Sequence, residues 1–237
     1  MVTKLDQLYE GKAKKIYQTD DPAVYWVEYK DDATAFNNLK KGTIQDKGYY
    51  NNQISALLFS YLKDNGIDNH FLQLAGEREM LVHRLEIIPI EVIVRNIAAG
   101  SLSKRLGIPE GTPLKHPVLE FCYKSDALGD PMINEDHIAV LELAAPEEVA
   151  LIKAQSYRIN ELLQQRFLAA NLILVDFKLE FGRHGDRVIL GDEISPDTCR
   201  LWDKDTMEKL DKDRFRHDLG QVEDAYVQVF HRLKGGA

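Results

Sequence analysis

The tract LILVDFKLEFG, residues 172–182, constrains this chain more than any other, because an apolar run passes into strict alternation of charged and apolar residues. Side chains alternate across a strand with a period of two, so Asp176, Lys178 and Glu180 share one face while Phe177, Leu179 and Phe181 share the other. An antiparallel strand with one solvated face has the same pattern. The next stretch, RHGDRVILGDEIS (183–195), reads as a return strand after a tight turn at Gly185-Asp186. With a loop from Gly185 to Arg187, His184 faces Val188 and Glu180 faces Asp192; a two-residue loop shifts the register by one and leaves Glu180 beside the neighbour of Asp192. Carboxylates placed opposite one another repel unless a cation or a proton lies between them. Glu180 and Asp192 therefore form a candidate magnesium site, since hard oxygen ligands without His or Cys suit Mg²⁺ held together with substrate phosphates.

The remaining 237-residue sequence narrows the setting of that hairpin. The length allows one large domain or two small lobes around a substantial core. A formal net charge of −8 argues against a general nucleic-acid or anionic-membrane surface, so any anion site has to be built locally. Cys122 and Cys199 are the only cysteines and suggest neither a disulfide framework nor a CxxC motif. The N-terminal MVTKLDQLYEGKAKK lacks the apolar core of a signal peptide, and no run approaches the roughly 18 apolar residues of a membrane span. A soluble cytoplasmic protein is expected. GxSxG, the P-loop pattern, GxGxxG and HxxxH are all absent, which removes the best signals of several enzyme classes.

Residues 9–18 and 24–30 read as two β-rich segments forming a hairpin through Asp20-Asp21-Pro22. Residues 48–66 place Ile54, Leu57, Leu58, Tyr61 and Leu62 on one helical face, with Gly66 as the stop. Strand patterns return at 71–75 and 78–96, and a lobe boundary is placed near Leu85, dividing the chain into 1–84 and 85–237. In AGSLSKRLG (99–107), Ser101 is read as the N-cap of a short helix ended by Gly107, and proline and glycine dominate 107–117. A long amphipathic helix is expected from Pro146 to Ala170, and a last one from Val222 to Leu233. The last helix is expected to dock on the larger lobe, or to help form a homodimer, and to contribute no catalytic group.

Two further stretches carry charge where chemistry could use it. GKAKKIY (11–17) places Lys12 and Lys14 on one side of an extended segment after a glycine, a form suited to covering nucleotide phosphates; a solvated strand end has the same look. VRNIAAGS (94–101) joins Arg95 to a helix start that attracts anions, and SPDTCRLWD (195–203) adds Asp197 and Arg200 just past the carboxylate hairpin. On residues alone, an ATP-dependent phosphotransferase of kinase-like architecture and a nucleotide-binding module without turnover also fit.

Taken together, YEGKAKKIY, VRNIAAGSLSKRLG, LILVDFKLEFG and GDEISPDTCRLWDKDT closely resemble the SAICAR synthetase family of purine biosynthesis, in order and spacing and over nearly the whole chain. The resemblance implies a two-lobed α+β fold, with a β-rich N-terminal lobe over ATP, a larger mixed lobe and the active site in the cleft between them. It implies a ligase that joins L-aspartate to the carboxylate of carboxyaminoimidazole ribonucleotide (CAIR), using ATP and Mg²⁺. By the same resemblance, Glu180 and Asp192 hold the metal, Lys178 neutralises phosphate charge and Asp176 orients CAIR. Arg95, Ser101 and Arg200 match positions that bind the CAIR phosphate and ribose. Lys12, Lys14 and Ile16 belong to the nucleotide site, with Val82, His83 and Leu85 lining the adenine slot. Asp130 matches a position near the imidazole, although a loop Asp is also a turn former; Asp197 and Arg214 are candidates for the aspartate site. Ile97 and His83 stand where relatives can carry basic residues, so contacts made by such residues are not expected here.

Overall fold

In the computed structural model, which describes residues 2–35 and 39–235, the β-branched and aromatic N-terminal segments form a meander. Strands β1 (Lys4–Glu10), β2 (Lys14–Thr19) and β3 (Val24–Tyr29) pair antiparallel in sequence order. The tract YEGKAKKIYQ is therefore two strands rather than one, since it bends after Gly11, whose amide donates to the Lys14 carbonyl at 2.8 Å. The pair β4 (Asp32–Ala35) and β5 (Lys40–Thr43) stands apart and leads into helix α1 (Lys47–Asp64), which stops just before Gly66 as predicted. β6 (Phe71–Leu74) and β7 (Glu79–His83) complete the first sheet in the order β1-β2-β3-β7-β6.

β8 (Glu86–Ile97) opens the second sheet. The chain crosses between the sheets at Leu85, where a Cβ on Gly182 would lie 2.8 Å from the Leu85 Cβ, so only glycine admits so close a crossing. Helix α2 (Gly100–Leu106) ends at Gly107 as predicted, but its N-cap is Ala99; Ser101 lies inside the first turn and does not cap it. The proline-rich stretch then contains a strand that its composition conceals, β9 (Pro113–Tyr123). The short β10 (Met132–Ile133) covers only Phe121 and Cys122, so the first half of β9 is a sheet edge, where prolines are tolerated.

Helix α3 (Glu135–Val140) precedes α4 (Pro146–Ala169), whose stripe of Val149, Ile152, Ile159, Leu163 and Phe167 is buried beneath the second sheet. Then come β11 (Leu172–His184), β12 (Arg187–Leu190) and β13 (Cys199–Asp203), giving a sheet ordered β10-β9-β8-β11-β12 with β13 paired to the first half of β11. The turn is the two-residue form: His184 pairs with Arg187. Glu180 consequently stands across from Gly191, whose amide donates to its carbonyl at 2.9 Å, and Asp192 comes one residue later.

A slip in register against β13 between Leu174 and Asp176 reverses the facing of β11. Leu172 and Leu174 belong to the main core together with Phe177, Leu179 and Phe181, although the two sets differ in parity. Without that bulge, Asp176, Lys178 and Glu180 would share the face of Leu172 and Leu174 and point into the core.

Past the short α5 (Asp213–Arg216), helix α6 (Val222–Gly235) buries Ala225, Tyr226, Val229, Phe230 and Leu233. It packs chiefly on α1, with the Phe230 ring 5.9 Å from Tyr49 and 5.7 Å from Tyr50, and it also reaches the C-terminal part of the chain, where the Arg232 guanidinium donates to the Asn171 carbonyl at 3.2 Å. One hydrophobic cluster runs through both sheets and α6, from Val27 and Met80 through Val92 and Phe177 to Leu233. No described helix is long and apolar enough to cross a membrane.

The far end of α6 is tied down by Arg232, which pairs with Asp203 at 2.7 Å. The Thr206 amide, the Arg232 guanidinium and the Asp205 amide together outweigh burial and hold the Asp203 carboxyl at about 2. A carboxyl whose folded-state pKa lies below its unfolded value stabilises the fold above the unfolded pKa and loses that contribution as pH falls through the folded one. Asp203→Asn is expected to lower stability by about 1–2 kcal/mol at neutral pH in urea unfolding, and the gap from the parent should close between roughly pH 4 and pH 2. A gap that persists at the acid end would place the effect in the loop geometry rather than in the charge.

Candidate active site

Two cavities meet on the charged face of β11. The larger, about 510 Å³, lies between the β1–β2 turn, the first sheet and the β11–β12 hairpin. Ile16, Val27, Met80, Val82 and Leu85 give it an apolar end, and Lys14, Lys124, Lys178, Glu180 and Asp192 a charged one. The smaller, about 440 Å³, lies over β8 and β11 and is lined by Arg95, Ser101, Asp176, Arg200 and Arg216. Lys178, Asp197 and Thr198 border both, forming a common wall.

The charged end of the larger cavity is a lattice of ammonium and carboxylate groups. Lys178 Nζ lies 2.8 Å from Glu91, 2.6 Å from Glu180 and 3.8 Å from Asp192. Lys124 donates to Glu180 at 2.7 Å, and Lys14 donates to Asp192 and lies 3.6 Å from Glu193. Burial alone would neutralise such groups. Here it is overcome: Glu180, Asp192 and Glu91 hold the Lys178 ammonium well above its ordinary range, and Lys14, Lys178 and Lys124 hold Asp192 well below its own. Glu193 goes the other way, pushed up by burial and by the neighbouring carboxylates of Asp192 and Asp197. Burial, with Lys14 nearby, lowers the His70 imidazole to about 3, so it faces the cavity neutral. Lys12 sits at the rim, 2.7 Å from Asp126.

In the smaller cavity the arginines are held from behind. Arg95, 3 % exposed, donates to Glu120 at 2.8 Å, to Asp176 at 2.9 Å and to the Ser101 hydroxyl at 2.9 Å. Arg200 bridges Asp176 at 2.8 Å and Asp213 at 2.9 Å. Asp213 also accepts from Arg216 at 2.6 Å. A Cβ on Gly100 would lie 2.5 Å from Arg200 Nη2, and its φ of 54° is one that side-chain-bearing residues rarely adopt; glycine here lets the guanidinium lie against the start of α2.

Most of the residues singled out from the sequence converge on these cavities. Lys12, Lys14, Ile16, Val82, His83 and Leu85 line the larger one, as do Glu180 and Asp192. Arg95, Ser101, Asp176 and Arg200 line the smaller, and Lys178 and Asp197 lie between. Asp130 lines the larger cavity, where its carboxylate accepts the Ser125 amide at 2.9 Å in a turn. Arg214 lies apart: its guanidinium donates to the Gly220 and Lys209 carbonyls at 2.8 and 2.9 Å and borders neither cavity. The arginine that does is Arg216, two residues on. Lys124, Glu91, Glu193, Lys47 and Lys212 also belong to the charged network and were not anticipated. For Lys47 a signal existed, because Lys47, Asn51 and Ser55 recur every four residues on α1 and form a polar stripe opposite its exposed side.

Comparison with known proteins agrees with this geometry. The sequence profile of the family described as SAICAR synthetase matches residues 7–233. The phosphoribosylaminoimidazole-succinocarboxamide synthase of Caldanaerobacter subterraneus is 59% identical over 231 residues, covering 98% of each chain. That of Bacillus subtilis is 57% identical over 235 residues, covering 99% of this chain and 98% of its own. The crystal structure of the Ehrlichia chaffeensis synthase superposes with a TM-score of 0.95 at 48% identity, covering 97% of this chain and 98% of that one. A SAICAR synthetase solved in complex with ADP superposes with a TM-score of 0.94 at 45% identity, with the same coverage. These likenesses span nearly the whole chain and favour ligation over the phosphotransferase and binding-module readings. The chain belongs to the SAICAR synthetase family.

Proposed function

We propose that the two cavities divide the family's reaction between them, with ATP in the larger and CAIR in the smaller. The reaction joins L-aspartate to the CAIR carboxylate and yields SAICAR, ADP and phosphate. The observation that carries the division is the shared wall of Lys178, Asp197 and Thr198: a phosphoryl donor and an acceptor bound on either side would meet there. Both volumes are of the size that small ligands occupy.

A carboxylate is a poor electrophile, and in this reading ATP converts it to an acyl phosphate that the aspartate amine attacks, expelling phosphate. Such transfer needs positioning and charge neutralisation more than covalent help. Ile16, Val82 and Leu85 would hold the adenine, while Lys12, Lys14 and Lys124 would meet the phosphates. Lys178 would neutralise the group in transit across the wall. Arg200, Arg216 and Ser101 would face the CAIR phosphate and ribose, with Asp176 fixing both Arg95 and Arg200 from beneath.

Glu180 and Asp192 fit a magnesium ion by the chemistry of their donors, which are hard carboxylate oxygens. Among the described residues no group of three or more His, Cys, Asp or Glu is placed to hold a metal, which suits an ion that takes its other ligands from phosphate. When bound, Mg²⁺ would supply positive charge to the phosphates. The lysines now paired with these carboxylates would turn to the phosphates as ATP enters, leaving the carboxylates open. The free, buried thiols of Cys122 and Cys199 suit a reducing compartment such as the cytoplasm. In the same reading the lobes divide near Leu85.

Steady-state assays of ADP release test the assignment; release should require both CAIR and L-aspartate. Glu180→Gln and Asp192→Asn should each lower kcat roughly thousandfold without unfolding the protein. Parent-like rates for both at limiting Mg²⁺ would remove the metal role. Arg95→Ala leaves Glu120 and Asp176 one partner short in a buried layer. It should therefore cost about 3 kcal/mol in urea unfolding as well as weaken CAIR in titration calorimetry; unchanged stability would show that Arg95 serves the ligand alone.

A further inference from the structure

We infer that Tyr226 and Lys47 are positioning residues for Asp197, through which the C-terminal helix and the start of α1 act on the ligation. This rests on the placement of Asp197 in the wall between the two cavities. Its side chain is 4 % exposed and both oxygens are held from outside the cavities. The Tyr226 hydroxyl donates to Oδ1 at 2.7 Å, and the Lys47 ammonium donates to Oδ2 at 3.0 Å. Lys212, which does line the larger cavity, adds a third contact at 3.2 Å. Tyr226 and Lys47 are both fully buried and border neither cavity, so they reach the reaction only through the carboxylate they hold.

The same face of α1 grips the loop a second time, since the Ser55 hydroxyl donates to the Ile194 carbonyl at 3.2 Å. Lys47, Asn51 and Ser55, four residues apart, are all fully buried. An interior stripe of this kind costs desolvation that apolar side chains would avoid, so stability alone does not account for it. Fixing the loop 194–197 from two sides does. Lys212, Lys47 and the Tyr226 hydroxyl outweigh burial and hold the Asp197 carboxyl well below its ordinary range, which favours its charged form in the wall. That charge suits the amino group of the incoming amino acid, which it would hold as the ammonium form until a proton is released to water and the neutral amine attacks the carboxyl carbon of the activated substrate, expelling phosphate.

A double-mutant cycle on kcat/KM for L-aspartate, with ATP and CAIR saturating, tests this. Tyr226→Phe should lower kcat/KM roughly tenfold and Asp197→Asn roughly hundredfold or more, with KM for ATP unchanged in both. The double variant should be no worse than Asp197→Asn alone, because the hydroxyl then has no charge to position. Thermal unfolding of each variant checks that it is folded, and Lys47→Gln run through the same cycle replaces Tyr226→Phe should that protein not accumulate. An equal tenfold loss in both backgrounds would make Tyr226 a structural residue only, and parent-like rates for Tyr226→Phe would overturn the inference. Parent-like rates for Asp197→Asn would overturn it too, and would locate the failure in the placement of Asp197 rather than in its supports.

Discussion

An ammonium group inside a protein has to find an anion, and the charged face of β11 is organised by that requirement. Lys178 is inserted among Glu91, Glu180 and Asp192, and Lys14 and Lys124 close the remaining gaps. Each of these carboxylates already carries a lysine, and each of these lysines already carries a carboxylate. Such a surface is electrically balanced with nothing bound, which allows it to sit in a cleft without forcing its groups to neutralise. Were a polyanion and a divalent cation to bind there, as proposed, the pairing would be exchanged rather than created, and little net charge would have to be desolvated. The two sheets, the crossing over Gly182 and the bulge in β11 all serve to bring these partners within 3 to 4 Å of one another.

The hairpin, its charged face and the helices at 47–64, 146–169 and 222–235 could be read from the chain, because each is specified by neighbours within a few residues. What escaped reading was set at long range. The bulge that turns Asp176 out of the core arises from pairing with β13 and leaves no mark in the alternation of 176–181. Lys14 meets Asp192 across 178 residues and Lys47 meets Asp197 across 150, distances over which local pattern carries no information. Arg214 and Arg216 share a four-residue helix, and two positions along a helix point to different sides, so composition alone cannot choose between them. Strand β9 was hidden by prolines that are harmless on an edge.

One apolar cluster joins the two sheets. The sheets are separate, yet α1 follows the first sheet's opening strands and packs against α6, and the apolar cluster does not break between them. A single core of this kind limits how far the cleft can open by rigid rotation, because any large motion would expose the α1–α6 contact. The β1–β2 turn carries Lys12, which reaches across the cleft mouth to pair with the exposed Asp126.

The packing of α6 on α1 also dictates an order of events during synthesis. More than half the chain separates the two helices, so α1 emerges with Tyr49 and Tyr50, the rings that meet Phe230, before that cover has been made. A nascent chain folds what it can in sequence, and the first sheet and α1 can form early, but the α1–α6 contact waits for the last residues of the cluster, up to Leu233. The closing contacts are of high sequence separation, the kind that slow folding most. A ribosome that stops short of α6 therefore releases a chain with an uncovered α1 surface and an Asp197 carboxylate that has its two lysines but lacks the Tyr226 hydroxyl.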